Sequence, residues 1–407
     1  MMSLSSGFFS GSRIAQAAPL PTLPQCGSCS LHKRCENPKA PVTGEGRRNV
    51  LIVMENPEDA KGRDLLRRVL AAMGFDLGED AWLTSSVICE PPRGRKPTAE
   101  EALACRPNLV KAIEQLQPHT IIPLGATAVR SVLAEVWRKD VGTMGRWTGW
   151  DIPCQDLNAW VCPTWPPGYV RHEDDVVLNR QFRDHLAAAV AHTGRPWPMG
   201  PPRWAETVCR ITKPSKAATW LRKAATATQG ALAWDYETNC LKPDGDDARI
   251  VSCAVAWGRR EPERCIAFPW HGEAVEAMGA LLRSPVPKIA ANIKFEDRWT
   301  RKAFGHRVRG WAWDTVLAAH VLDNRPGVSS VKFQALVRLG VTPWNDRVEQ
   351  FLKTKGDVQF NRVLEEIDTM DLLRYNGLDA LYEFRVACDQ IRELGYPWPW
   401  RGTDGPH

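Results

Sequence analysis

Residues 231–239, ALAWDYETN, set the tightest limit on how this chain can fold. An apolar run there leads straight into Asp235 and Glu237, two positions apart. Side chains at i and i+2 of a β-strand share a face, so both carboxylates project from one strand toward one point. Converging carboxylates call for a cation. Hard divalent ions such as Mg²⁺ or Mn²⁺ take oxygen ligands, and a pair of them about 3.5–4 Å apart clamps the attacking and leaving oxygens of a phosphodiester displacement. Asp-x-Glu alone is a common pair, equally at home on a solvated strand end.

Two further motifs follow in order. In residues 288–299, KIAANIKFEDRW, Asn292 and Phe295 frame Glu296 and Asp297 on an apolar strand running into a helix. In residues 375–379, YNGLD, Tyr375 and Asp379 stand at i and i+4 of an amphipathic helical segment, hence on one face. A phenol beside a carboxylate suits a water-positioning group next to a metal ligand. This ordered set resembles the tyrosine subclass of DEDD-type 3′–5′ exonucleases, as in the proofreading domain of bacterial family A DNA polymerases. The resemblance spans residues 216–395 and includes Trp313-Asp314-Thr315, similar to the family's Asp-Thr helix start. It implies an RNase H-like mixed sheet, two divalent ions (Mg or Mn) held by Asp235, Glu237, Glu296 and Asp379, and Tyr375 orienting the attacking water. The family has Asp where Glu296 stands, and Asp297 next door is an alternative ligand.

The first half is marked by cysteine spacing. Cys26 and Cys29 form a C-x2-C pair, Cys35 follows, and Cys89 and Cys105 are separated by fifteen residues. Twelve cysteines in 407 residues without a secretory signal argue for a reducing compartment and against a disulfide framework. Clustered thiols then point to metal; four thiolates suit zinc, and iron–sulfur clusters use the same ligand set. Residues 44–57 (GEGRRNVLIVMENP), 82–107 (WLTSSVICEPPRGRKPTAEEALACRP) and 121–128 (IIPLGATA) resemble the family 4 uracil-DNA glycosylases across residues 25–195. That resemblance implies a [4Fe-4S] cluster on Cys26, Cys29, Cys89 and Cys105. Cys35 is a fifth candidate, able to displace Cys29, and the remaining cysteines are expected as ordinary buried thiols.

Uracil excision needs a pocket for a flipped base, an aromatic stacking partner and groups that activate water and hold the departing anion. Each corresponding position is altered. The family's Gly-Glu-Ala-Pro-Gly loop reads Met54-Glu55-Asn56-Pro57-Glu58, losing both glycines that let backbone approach the base. The segment that brings a Phe against uracil is shortened to Lys61-Gly62-Arg63-Asp64-Leu65, and the family's Asn becomes Ser85. Its His-Pro-Ser motif reads Pro166-Pro167-Gly168, and proline carries neither donor nor charge. The first half is therefore expected to be a pseudo-glycosylase.

The expected organisation is α/β in two domains: a flexible arm (1–24), a glycosylase-like parallel α/β sheet (25–195), a proline-rich linker (196–215), a mixed-sheet exonuclease domain (216–400) and a tail (401–407). No apolar run approaches the roughly 18 residues that span a bilayer, and a net charge of +6 leans toward polyanions. Basic residues gather at Arg93, Arg95 and Lys96 and again at Arg298, Arg301, Lys302, Arg307 and Arg309, the arrangement either of a DNA-facing surface or of a solvated face. A family A polymerase continues past its exonuclease into palm, fingers and thumb, and nothing of that size follows Asp379. The expectation is a proofreading subunit acting on DNA 3′ ends, single-stranded or primer-template, beside a separately encoded phage-type DNA polymerase, with no membrane partner. Its compartment would be cytoplasmic, that of the host if phage-encoded. A freestanding repair nuclease with residual base excision and a non-catalytic DNA-binding scaffold are the alternatives.

Overall fold

The computed structural model of the protein describes residues 26–397 other than 36, 56, 58–59, 227–229, 353–359 and 364–365. The expected arm and tail, and Asn56 and Glu58 of the altered loop, lie outside the described residues. The chain divides into two compact units, Met1–Val132 with Pro163–Thr193 and Leu133–Cys162 with Gly194–His407.

In the first unit, β1 (Val50–Met54) is buried along its whole length, the signature of a strand covered on both faces. After α1 (Ala60–Ala71) it pairs in parallel with β2 (Ala81–Ser85), and after α2 (Ala99–Leu116) with β3 (Thr120–Pro123) on its other side. The start of α2 is fixed by a capping box in which the Thr98 side chain accepts from the Glu101 N–H while the Glu101 carboxylate accepts from the Thr98 N–H. Then comes α3 (Ala126–Leu133). The antiparallel hairpin of β4 (Ile152–Cys154) and β5 (Ala159–Val161) groups with the second unit, after which α4 (Pro167–Glu173) and α5 (Val176–Ala191) return to the first.

The second unit continues through β6 (Val208–Arg210), α6 (Pro214–Ala225), β7 (Ala231–Thr238), β8 (Ile250–Gly258), β9 (Arg264–Pro269) and α7 (Glu273–Arg283). It closes with β10 (Lys288–Ala290), α8 (Ile293–Phe304), β11 (Trp311–Asp314), α9 (Thr315–Leu322), α10 (Val331–Leu339), α11 (Glu349–Leu352) and the long α12 (Thr369–Glu393). The sheet runs β11-β10-β7-β8-β9-β6, antiparallel through β7, β8 and β9 and parallel at both edges. This is the mixed sheet expected beside a parallel one. Strand alternation sorts its two faces: Leu232, Trp234 and Tyr236 pack on α6, α7 and α8, while Ala231 and Ala233 face α10 and α12. Asp235 and Glu237 continue the second face. Among the described residues no helix is long and apolar enough to cross a membrane.

Small residues let α12 lie close on that face. A methyl group at Gly377 would stand 2.3 Å from Val208 Cγ1 and 3.4 Å from Ala267 Cβ. The helix end of α10 is equally tight, since a Cβ at Gly340, where φ is +68°, would overlap the Pro153 carbonyl. Residues 133–162 are held there by an aromatic cluster: the rings of Trp137, Trp147 and Trp150 each meet Phe333 edge-on, with centroids 5.2–6.0 Å away. The Arg146 guanidinium lies 4.4 Å from the Phe333 centroid, and Arg325 donates to the Gly145 and Thr148 carbonyls.

In an exposed helix Gly→Ala stabilises by about 1 kcal/mol. At Gly377 the sign should reverse. Gly377→Ala is expected to cost roughly 1–3 kcal/mol through overpacking and to lower the melting temperature by several degrees, read by calorimetry; an unchanged or raised melting temperature would refute the close-approach account.

Candidate active site

The end of β7 delivers two carboxylates and α12 a third. Asp235, Glu237 and Asp379 each bring an oxygen within 4.8 Å of the others. Glu237 and Asp379 are buried and Asp235 is half-buried. Burial, then repulsion from Asp379, raises the Asp235 carboxyl to about 7. Burial, then Asp235 and Asp379, pushes Glu237 well above the usual carboxylate range. Groups that give up water and repel one another fit a hard cation between them.

Tyr375 lies one turn before Asp379 and is almost fully buried. Burial and the Asp379 charge hold its phenol well above the ordinary value, so the hydroxyl stays protonated. Glu296 sits in the first turn of α8, buried, its carboxyl pushed up by burial and by Asp235. Among the described residues it does not join the group of three, and its Oε2 has no hydrogen-bond partner. Asp297 is committed elsewhere: Arg301 holds one oxygen and the Val308 N–H donates to the other at 3.2 Å. Asp314 is architectural, accepting from the N–H groups of Asn292, Ile293, Val316 and Leu317 at 3.0–3.2 Å, which caps α9 and anchors the start of α8.

Two residues at the site carried no assignment in the sequence. Asn376, fully buried, donates from Nδ2 to Asp235 Oδ2 at 2.6 Å and accepts from the Ser252 hydroxyl at 2.9 Å, fixing the carboxylate's orientation. Its place beside Tyr375 was the available signal. Lys332, on α10, donates to Asp379 Oδ1 at 2.8 Å and to the Tyr375 hydroxyl at 3.0 Å. Nothing near Lys332 in the sequence distinguishes it from other helix lysines.

Grooves open at Phe295 and at Tyr375. One, of about 360 Å³, is lined by Leu241, Lys242, Asn292, Lys294, Phe295 and Arg298, with Leu241 82% exposed. A second, of about 210 Å³, runs past Tyr375 between Trp344, Arg347 and Arg374. Of the basic run, Arg298 pairs with Asp244 at 2.8 Å, Arg301 with Asp297, and Lys302 donates to the Gly245 carbonyl. These exposed pairs are weak and leave the local charge available to a polyanion.

In the first unit, Cys89 and Cys105 pack in one small core with Leu31, Val87, Ile88 and Ala102, and Cys29 and Cys35 lie against it. The Ile88 N–H donates to Cys105 Sγ at 3.3 Å, the Lys39 N–H to Cys89 Sγ at 3.4 Å, and Asn108 Nδ2 reaches the sulfurs of Cys26 and Cys105 at 3.7 and 3.6 Å. Burial is the main force raising the Cys89 thiol to about 11. Tetrahedral zinc would draw its four sulfurs to roughly 3.8 Å apart, given Zn–S bonds of about 2.3 Å. Among the described residues no three of these thiols come within 4.8 Å of one another. Donor N–H groups aimed at the sulfurs suit thiolate ligands of a metal ion or an iron–sulfur cluster. Cys154, Cys162, Cys253 and Cys265 are buried, with their thiols pushed up by desolvation.

At the edge of the parallel strands, Glu55 Oε1 accepts from the Thr127 N–H at 3.1 Å, and Gly125, at φ +96°, passes so close that a Cβ would stand 2.7 Å from Glu55 Cδ. Ser85 ends β2, residues 61–65 lie within α1, and Pro166 immediately precedes α4 without a side-chain cap.

Residues 41–191 match the uracil DNA glycosylase superfamily. A type-4 uracil-DNA glycosylase of Pyrobaculum aerophilum is 36% identical over 124 residues, 28% of this chain and 62% of that protein, so the chain spans less than two thirds of this relative. DNA polymerase I of Chloroflexus aurantiacus is 29% identical over 189 residues, 44% of this chain and 19% of the polymerase. The DNA polymerase of Bacillus phage SP01 is 34% identical over 106 residues, 23% of this chain and 11% of that protein. Among solved structures, Escherichia coli RNase D, an exoribonuclease involved in structured RNA processing, aligns at 14% identity over 46% of this chain and 44% of that one, with a TM-score of 0.35. The first unit is thus uracil-DNA-glycosylase-like, and the C-terminal region resembles the exonuclease of DNA polymerase I.

Proposed function

We propose that the chain is a metal-dependent 3′–5′ DNA exonuclease that serves as a proofreading subunit to a separately encoded, phage-type DNA polymerase. The observation that carries this reading is the meeting of Asp235, Glu237 and Asp379 within 4.8 Å, on a strand and a helix that also present Tyr375. Asp235, Glu237, Asp379 and Glu296 would hold two divalent ions, which when bound supply charge stabilisation to the attacking and leaving oxygens. The protein's own part is positioning. Asn376 fixes the Asp235 carboxylate, and Tyr375, steadied by Lys332, orients the water whose oxygen bonds to phosphorus as the bond to the preceding 3′ oxygen breaks. The groove of Leu241, Lys294 and Phe295 offers an apolar, basic bed for the last unpaired nucleotides, whose bases stack on aromatic faces. The likeness to two polymerases supports DNA as the substrate and a polymerase as the partner.

The first unit, in this reading, holds a [4Fe-4S] cluster on Cys26, Cys29, Cys89 and Cys105 and has lost uracil excision, because Pro166 has no side-chain donor where the family has histidine. It retains a DNA-glycosylase shape for docking on duplex or polymerase. Tethering to a polymerase raises the local concentration of the 3′ end to roughly millimolar.

Purified chain with Mg²⁺ or Mn²⁺ should shorten single-stranded or mismatched 3′ ends, and Asp235→Ala or Asp379→Ala should reduce the rate by orders of magnitude. Wild-type protein that leaves 5′-labelled single strands full length with both metals would sink the nuclease reading.

The raised Asp235 carboxyl gives metal binding a definite pH dependence. Without metal, the folded site keeps a proton that the unfolded chain releases near pH 4, so stability falls as pH climbs from there to about 7. An ion must displace that proton. Mn²⁺ affinity, followed by calorimetry, should rise roughly tenfold or more per pH unit below neutrality and flatten above it. A pH-independent affinity across that window would contradict the buried, mutually repelling arrangement.

Protein prepared without oxygen should contain about four irons per chain, and Cys89→Ser or Cys105→Ser should lose iron and destabilise the first unit. The same preparation should leave uracil-containing DNA without abasic sites. Stoichiometric zinc in place of iron, or appreciable uracil release, would overturn the corresponding half of this assignment.

A further inference from the structure

One buried acid near the nuclease site lies outside the set of four carboxylates and a tyrosine. Glu383 follows Asp379 by four residues and Tyr375 by eight on α12, so the three side chains stand on one helical face. Glu383 is only 2% exposed, and among the described residues its buried Oε1 has no hydrogen-bond partner. Across from it, Glu296 is 3% exposed and its Oε2 is likewise buried and unpartnered. Burial first, then the charges of Glu296, Asp235, Asp379 and Asp314, push the Glu383 carboxyl well above its usual range. Among the described residues no basic side chain pairs with it; Lys332 is spent on Asp379 and Tyr375.

An isolated carboxylate taken out of water costs several kcal/mol unless a cation answers it. Charge counting indicates which cation. Asp235, Glu237, Glu296, Asp379 and Glu383 bring five negative charges and Lys332 returns one positive, leaving four, the charge of two divalent ions. Without Glu383 the presence of Lys332 leaves the site one charge short. The geometry separates the two ions' surroundings as well: Asp235, Glu237 and Asp379 converge within 4.8 Å, while Glu296, outside that group, and Glu383 each leave an oxygen free.

We propose that Glu383 is a fifth carboxylate of the metal centre, serving with Glu296 and Asp235 the second divalent ion and offsetting the charge of Lys332. The inference rests on the nuclease reading.

The test is Mn²⁺ binding to the full chain without DNA, counted by electron paramagnetic resonance, for wild type, Glu383→Gln, Glu383→Leu and Asp379→Ala. Wild type should bind two ions. Glu383→Gln, which keeps shape and removes charge, should weaken the second by roughly ten- to hundredfold while the first changes little. Both Glu383 variants should melt at or above wild type without metal, since a buried acid without a partner has been removed, and should gain less on Mn²⁺ addition. Two ions bound at wild-type affinity by Glu383→Gln, with binding lost in Asp379→Ala, would overturn the role of Glu383 and leave the nuclease reading standing. Wild type that binds no Mn²⁺, or Asp379→Ala that binds as wild type, would remove the reading on which the inference stands.

Discussion

Repulsion among carboxylates held out of water is the constraint around which the second unit is organised. Left alone, such groups take up protons or pull apart. Here they are clamped from several sides. β7 fixes Asp235 and Glu237 through its pairing with β8, Asn376 ties Asp235 to α12 and through Ser252 back to β8, and Lys332 bridges Asp379 and Tyr375. The close seat of α12, made possible by Gly377 and the alanines beneath it, is what brings the third carboxylate into range. Carboxylate geometry and backbone packing are therefore one problem in this unit, and a change of a single methyl at Gly377 reaches both.

The first unit solves a different one. Its thiols are gathered by backbone donors from the loops around residues 39 and 88 and by Asn108 on α2, whose start is pinned by the Thr98–Glu101 box and by Arg95, which holds Glu101 at 2.6 Å and draws its carboxyl down to about 2. The basic residue beside the second cysteine pair thus has a structural engagement. Glu55, by contrast, is held against Gly125 by the Thr127 N–H.

What the sequence disclosed follows from the range of the interactions. Asp235 with Glu237, and Tyr375 with Asp379, are neighbours by strand or helix period, so their convergence could be read locally. Parallel and mixed sheets were likewise legible from apolar runs and their spacing. Lys332, Asn376 and Glu383 were not, because an ordinary-looking lysine, amide or acid on a helix acquires meaning only from what lies opposite. Which of Glu296 and Asp297 is left without partners depended on Arg301 and Val308, which satisfy Asp297. Residues 133–162 gave no local sign of joining Phe333 and Arg325.

That last association has a consequence for synthesis. The hairpin residue Gln155 donates to the carbonyl of Leu339, 184 residues further along the chain. At roughly 5–20 residues per second, a ribosome needs about ten to forty seconds to supply that partner. During this interval Trp137, Trp147 and Trp150 have emerged and Phe333, which all three rings meet, has not. The nascent chain must therefore carry an exposed aromatic strip through the middle of its own translation, which makes residues 133–162 the stretch where a holdase would grip and where slowed elongation would most readily turn folding into aggregation.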